Sequence, residues 1–185
     1  MRLKTLLLIN LFSSDIGEWV YFIALNLMVL KLTDSAFAVS ILYILLPVAM
    51  LLTNSWAGSV IDRVNIRTLL ISLNILRALL VVCIALTANL FFIYSLSLLL
   101  HIGTSIYSTA SFVYITRIIP EAEQQRFNAW KSMAQSSGFI LGPSIAGMLF
   151  IIGSVETAIV VNSIILLISS IIYLYLPNVM SLNNE

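Results

Sequence analysis

Charge is what this sequence has least of. Only 9% of its 185 residues are Asp, Glu, Lys or Arg, while 61% are hydrophobic and mean hydropathy is +1.07. A soluble domain carries about 25% charged residues, so this composition cannot cover an aqueous surface and implies an integral membrane protein. The one cysteine, Cys83, sits inside an apolar run and can form no internal disulfide. The one histidine, His101, has neither cysteine nor a nearby carboxylate on its own helix, so no metal site is expected. No segment reads G-x-x-x-x-G-K-[ST], and nucleophile-elbow and zinc-protease patterns are missing as well. Those absences argue against an enzyme, a cofactor or a nucleic-acid partner. They leave an ion gradient, or a substrate's own gradient, as the energy source for any work done. Period-two alternation is also lacking, which excludes a transmembrane barrel.

What the chain does have is long apolar runs. About 20 apolar residues cross the hydrocarbon layer, so six spans with minimal loops use almost the whole length. They are placed at Thr5 to Leu30, Phe37 to Val60, Arg67 to Leu86, Phe91 to Ile118, Ala129 to Ile152 and Thr157 to Leu176. The start, M-R-L-K-T-L-L-L-I, looks briefly like a signal peptide. Asn10 and Asp15 interrupt the run, no small-residue cleavage site follows and the apolar pattern resumes at Val20, so it reads as the first span. The expected fold is therefore an all-α, six-span bundle occupying residues 1–185 as one unit.

Between the second and third spans lies a hydrophilic knot, A-G-S-V-I-D-R-V-N-I-R-T-L-L, from Ala57 to Leu70. With the N-terminus in the cytoplasm, that side receives Arg2, Lys4, Arg63, Arg67, Arg117, Arg126 and Lys131, and the outer side only Lys31. Positive charge on the inner loops sets orientation, so both termini are expected in the cytoplasm of a multi-pass protein of the cell membrane. A short echo at a spacing of about 95 residues, Pro47 with G-S-V-I-D and Pro143 with G-S-V-E, suggests two three-span copies inserted with opposite orientation.

Four ionisable residues fall inside the spans: Asp15, Glu18, Arg77 and His101. Counted at about 1.5 Å per residue, all four come out near the bilayer centre. A charge there costs about 2.5–3.5 kcal/mol on insertion scales, so partners are required. Asp15 and Glu18, three apart, share a helix face, with Asn26 near the same stripe. Three readings follow: one carboxylate pairs with Arg77 while the other titrates and couples proton entry to transport, the pair is static and holds two helices together, or the position simply faces the headgroups. His101 shares a face with Ser97, Ser105 and Ser108, which suits either a water-filled cavity or hydroxyls bonded within and between helices. In the fifth span, Gly138, Gly142 and Ala146 form a small-xxx-small stripe for close helix approach, and Pro143 tends to kink the helix.

The loop G58-S-V-I-D62-R63-V-N-I-R67 resembles motif A of the major facilitator superfamily, G-x-L-A-D-R-x-G-R-R/K, with Gly58, Asp62, Arg63 and Arg67 matching. Asn65 replaces its second glycine and Ile66 a basic residue. Gly138, Gly142, Pro143 and Gly147 resemble motif C of the drug and proton antiporters, with Ala146 replacing a glycine. S-D-I-G-E-W at Ser14 to Trp19 and L-R-A-L-L at Leu76 to Leu80 are similar to the macrolide-efflux and siderophore-exporter branch. The arginine of motif B has no counterpart, His101 and Gly103 standing in that region.

The resemblance implies the N-terminal half of a twelve-helix secondary transporter, exporting an amphipathic small molecule against protons by alternating access. It implies Asp15, Glu18, Asn26 and His101 on the substrate path, with Arg77 a coupling candidate from its depth, and Gly58, Asp62, Arg63 and Arg67 as a gating loop: Gly58 lets the second span pack closely, Asp62 accepts from a helix N-terminus, and Arg63 and Arg67 pair with Asp62 or with Glu121 and Glu123. The seam of Gly138, Gly142, Pro143, Ala146 and Gly147 is expected to face a C-terminal half, or a second copy, absent from this sequence. The chain then looks like a piece of a longer protein, a truncated reading frame or one partner of a split transporter. A non-transporting membrane fragment and a homodimer are the other expectations. Lipid, a small-molecule substrate and protons are the implied partners.

Overall fold

The structure is a computed structural model and describes residues 2–178. Met1, residues 179–185 and the side chain of Arg2 lie outside the described residues; the positive charge assigned to Arg2 and the end of the C-terminal tail fall there. Among the described residues seven helices follow one another: α1 (Arg2–Thr33), α2 (Ala36–Thr53), α3 (Ala57–Ile61), α4 (Ile66–Leu86), α5 (Leu90–Ile118), α6 (Glu121–Ile152) and α7 (Val155–Leu174). Six of them, all but the five-residue α3, are long and apolar enough to cross a membrane. No strand occurs among the described residues. Leu51, Leu86, Ile151 and Phe37 are among many large apolar side chains left exposed on the outside of the bundle, and a hydrocarbon solvent is the environment that suits such a surface.

The helix boundaries follow from local chemistry. Ser35, Asn65 and Asn89 cap α2, α4 and α5, each side chain accepting from backbone N–H groups of the first turn. Ser154 and Thr157 form a reciprocal capping box on α7. Asp34 adopts φ 49°, the left-handed conformation that closes α1 before Ser35. The second span differs from the sequence expectation, which carried it to Val60. It stops at Thr53: the Trp56 backbone N–H donates to Thr53 O, Leu52 O accepts from the Trp56 indole N–H at 2.6 Å instead, and Asn54–Trp56 form a turn before α3. The fifth span begins at Glu121 rather than Ala129, since its charged first turns stay helical beyond the apolar run.

The main helix pairings are α1 with α6 and α7, α4 with α5 and α7, and α2 with α5. Exchanging the triplet α1, α2, α4 for α5, α6, α7 maps this pattern onto itself: α1–α6 becomes α5–α2, α1–α7 becomes α5–α4, and α4–α7 is unchanged. That is the pairing an inverted repeat produces. Two apolar clusters fill the bundle. One gathers Val20 to Val29, Val81 to Ala85 and Ala158 to Leu166; the other gathers Leu7, Leu70, Tyr114 and Tyr173 near the end where α1 starts and α7 finishes. A polar layer separates them, and the site lies in it.

Candidate substrate and proton site

Glu18 is near the midpoint of α1 and Arg77 near that of α4, so the pair that joins them lies at the centre of the bundle. The Arg77 guanidinium donates to the Glu18 carboxylate. The two partners are held unequally. The Arg77 side chain is 2% exposed against 39% for Glu18. Arg77 also donates to Asn74 Oδ1 at 3.3 Å, and its guanidinium carbon lies 4.9 Å from the centroid of the Tyr107 ring. Asn74 is fixed in turn by Ser169 Oγ at 2.9 Å. Gly103 leaves room for the arginine stem, since a Cβ there would sit 3.3 Å from Arg77 Cγ. Arg77 is thus a fixed cation, and Glu18 is the partner free to turn toward the open space beside it.

That space is a cavity of about 390 Å³ between α1, α2, α4, α5 and α7. Asp15, Glu18, Arg77 and His101 all line it. Asp15 has no ion-pair or hydrogen-bond partner among the described residues, although Glu18 and Lys131 act on it electrostatically. Aromatic rings form one wall: Trp19 meets Phe22 edge-on at 5.8 Å, and Phe22 meets Tyr43 at 5.3 Å. One carboxylate paired with a buried cation, a second left unpaired and a wall of aromatic faces can hold an amphipathic molecule and exchange a proton.

Several expected members are elsewhere. Asn26 does not line the cavity; it is three turns above Asp15, and its amide donates to Phe22 O at 2.7 Å on its own helix. Ser105 is spent on Thr53, Ser97 is fully buried and Ser108 is exposed on the outside, so the histidine face reaches the cavity through Thr104 and Leu100 instead. Sequence reasoning missed Tyr43, Thr104 and Asn162. Asn162 alone carried a signal, being an amide inside the apolar sixth span.

The small-residue stripe of α6 faces inward. A Cβ on Gly142 would run into Trp19 Cβ, and one on Gly138 would lie 3.2 Å from Asp15 Cβ. Gly138, Gly142 and Ala146 therefore seat α6 on α1, which corrects the expectation that this seam faces a missing partner. Pro143 is exposed, and Gly147 has open space around it. The stripe fixes the α1 face that bears Asp15 and Trp19.

The loop after α3 also differs from expectation. Gly58 has nothing within 4 Å of an added Cβ, so close helix approach is not its role. Asp62 ends α3 and faces Arg117 at 3.8 Å rather than a helix N-terminus. Arg63 is exposed and makes no ion pair among the described residues. Arg67 pairs with no acid among the described residues; Nε donates to Tyr173 O at 2.9 Å and a terminal nitrogen to Leu174 O, capping the carbonyl end of α7. Glu123 is taken by Lys4. Lys4, Asp62, Arg63, Arg67, Arg117 and Glu123 thus gather at one end of the bundle.

The family model described as Major Facilitator Superfamily matches residues 7–184. Among curated proteins, an uncharacterized MFS-type transporter, YfiS of Bacillus subtilis (strain 168), is 26% identical over 165 residues. The match covers 89% of this chain and 40% of that relative, so the chain spans less than half of the relative's length.

Proposed function

The chain belongs to the major facilitator superfamily, and we propose that it forms the N-terminal bundle of a proton-coupled exporter for amphipathic small molecules. The family points to transport rather than catalysis. On this reading a second six-helix bundle completes the cavity, and the two rock about a midplane site. The charged end, with Lys4, Arg63, Arg67 and Arg117, faces the cytoplasm by the positive-inside rule, which puts both termini on that side of the cell membrane.

The observation that carries the proposal is the unequal pair on the cavity wall. Arg77 is locked in place by Asn74 and Tyr107, whereas Glu18 has one strong partner and an open side. Protonating Glu18 cancels its attraction to Arg77 and releases it toward the cavity; losing the proton draws it back. Substrate held against Trp19, Phe22 and Tyr43 beside Asp15 competes for that space. Proton binding and substrate capture then exclude each other, which is the logic of antiport.

The test is efflux of a panel of fluorescent dyes and antibiotics from cells expressing the full-length protein. Accumulation should fall for at least one amphipathic compound. Glu18→Gln should abolish this drop, and Asp62→Asn should weaken it. A panel that accumulates equally with and without the protein removes the export reading.

A further inference from the structure

The α1 face that bears Glu18 continues toward the charged end through Ser14 and Asn10, at successive spacings of four residues, or about 6 Å per step along the helix. Asn10 is 0% exposed and Ser14 6% exposed. Neither Asn10 amide atom nor the Ser14 hydroxyl has a hydrogen-bond partner, and Arg77 Nε is orphaned as well. Within a membrane-spanning bundle no bulk solvent or lipid group supplies the missing bonds, and unpaired polar groups there are costly. Bound water with two to four polar neighbours is the usual remedy.

Leu7 and Leu11, on the turns flanking Asn10, pack in one cluster with tyrosines that carry polar groups. The apolar cluster nearest the charged end is interrupted by Tyr107 and Tyr173, whose hydroxyls lie 3.0 Å apart. Tyr173 stacks edge-on with Tyr114, whose hydroxyl donates to Pro177 O at 2.8 Å, beyond the end of α7. Ser169 and Ser170 are buried on α7, a helix that packs on α1. Leu7, 1% exposed, closes the α1 stripe beyond Asn10, and Leu11, 7% exposed, lies between Asn10 and Ser14.

We propose that Asn10, Ser14 and Glu18 form a hydrated seam, closed by Leu7, through which water carries protons between Glu18 and the charged end, apart from the cavity. The proposal rests on the reading of Glu18 as the carboxylate that exchanges a proton. The proton moves from water to water and ends on a Glu18 oxygen. It bypasses Arg77, which stays protonated. The charged and titratable groups around Glu18 are Asp15 on its own helix, Arg77 on α4, His101 and Tyr107 on α5 and Tyr43 on α2, with Lys131 of α6 acting through Asp15. The leucine plug keeps the seam from short-circuiting the gradient, and movement of α1 opens it. Substrate and proton then leave Glu18 by different doors.

The plug makes the idea testable without knowing the substrate. The full-length protein is reconstituted in liposomes loaded with a pH-sensitive dye, and a pH step is applied. Leu7→Ser should raise proton conductance at least fivefold over the parent protein. Adding Asn10→Leu or Glu18→Gln to Leu7→Ser should return it to the parent level. A leak that survives Asn10→Leu, or no leak from a Leu7→Ser protein that elutes and melts like the parent, overturns the seam. If Leu7→Ser does not fold, hydroxyl-radical footprinting replaces it: Tyr107 and Tyr173 should be labelled in the parent and at least fivefold less in Asn10→Leu. Absence of labelling in the parent defeats the proposal. The Glu18 reading fails separately, through unchanged proton-coupled transport in Glu18→Gln.

Discussion

Two glycines in one helix, Gly142 and Gly147, should respond oppositely to the same substitution, with Gly138 between them. In a helix interior, Gly→Ala gains up to about 1 kcal/mol from backbone propensity alone. At Gly147 the added methyl meets nothing within 4 Å, so Gly147→Ala should keep that gain. At Gly142 the methyl would overlap Trp19 Cβ and lie 3.3 Å from Trp19 Cγ and 3.6 Å from Trp19 Cα. A Cβ and a Cα cannot rotate away, so α1 and α6 must separate. Overpacking of that kind costs about 1–3 kcal/mol, which offsets the gain and leaves a loss of up to about 2 kcal/mol. Gly138→Ala is intermediate, its methyl 3.2 Å from Asp15 Cβ. Thermal unfolding of the three variants in one detergent is the assay. With about 2–4 °C per kcal/mol for a chain of this size, Gly147→Ala should melt about 2–12 °C above Gly142→Ala. Equal shifts at the two sites would refute the inward placement of the α6 seam.

Other substitutions probe the pair and the helix ends. Glu18→Gln leaves a buried guanidinium uncompensated, so the Glu18→Gln, Arg77→Met double variant should melt above Glu18→Gln alone, as buried pairs behave when both partners are replaced; a double variant below the single contradicts the geometry. Arg67→Ala removes two bonds to the last carbonyls of α7, at about 1–2 kcal/mol by typical hydrogen-bond values, and hydrogen exchange should rise at the end of α7. Unchanged protection there denies the cap. Asn89→Ala should lower stability by about 0.5–2 kcal/mol through the start of α5, where Asn89 Oδ1 accepts from Phe91 and Phe92, and a melting temperature equal to the parent's would count against it.

The six spans and the central charges were legible in the sequence because lipid demands both. Apolar runs must be about 20 residues long, and a charge inside one stands out. Tertiary choices were not legible. α2 ends at Thr53, where the Trp56 indole takes the Leu52 carbonyl inside a run that stays apolar past that point, and Thr53 meets Ser105, 52 positions away, which no local pattern points to. The stripe of Gly138, Gly142 and Ala146 announced close packing but not that α1 is its partner. Asn26 shares the angular position of Asp15 yet lies about 16 Å farther along the helix, where its amide bonds its own backbone. Arg67 read as a partner for acids, while the structure gives it carbonyls, because the adjacent end of α7 presents unpaired acceptors that a linear reading does not show.

The most direct test is proton movement across liposomes holding the full-length protein and a compound from the efflux panel that it exports. Substrate-driven proton flux should be present in the parent protein. In Glu18→Gln it should be lost, while exchange of labelled for unlabelled substrate continues. Proton flux that persists in Glu18→Gln at the parent's rate would contradict the assignment of the coupling proton to the Glu18–Arg77 pair.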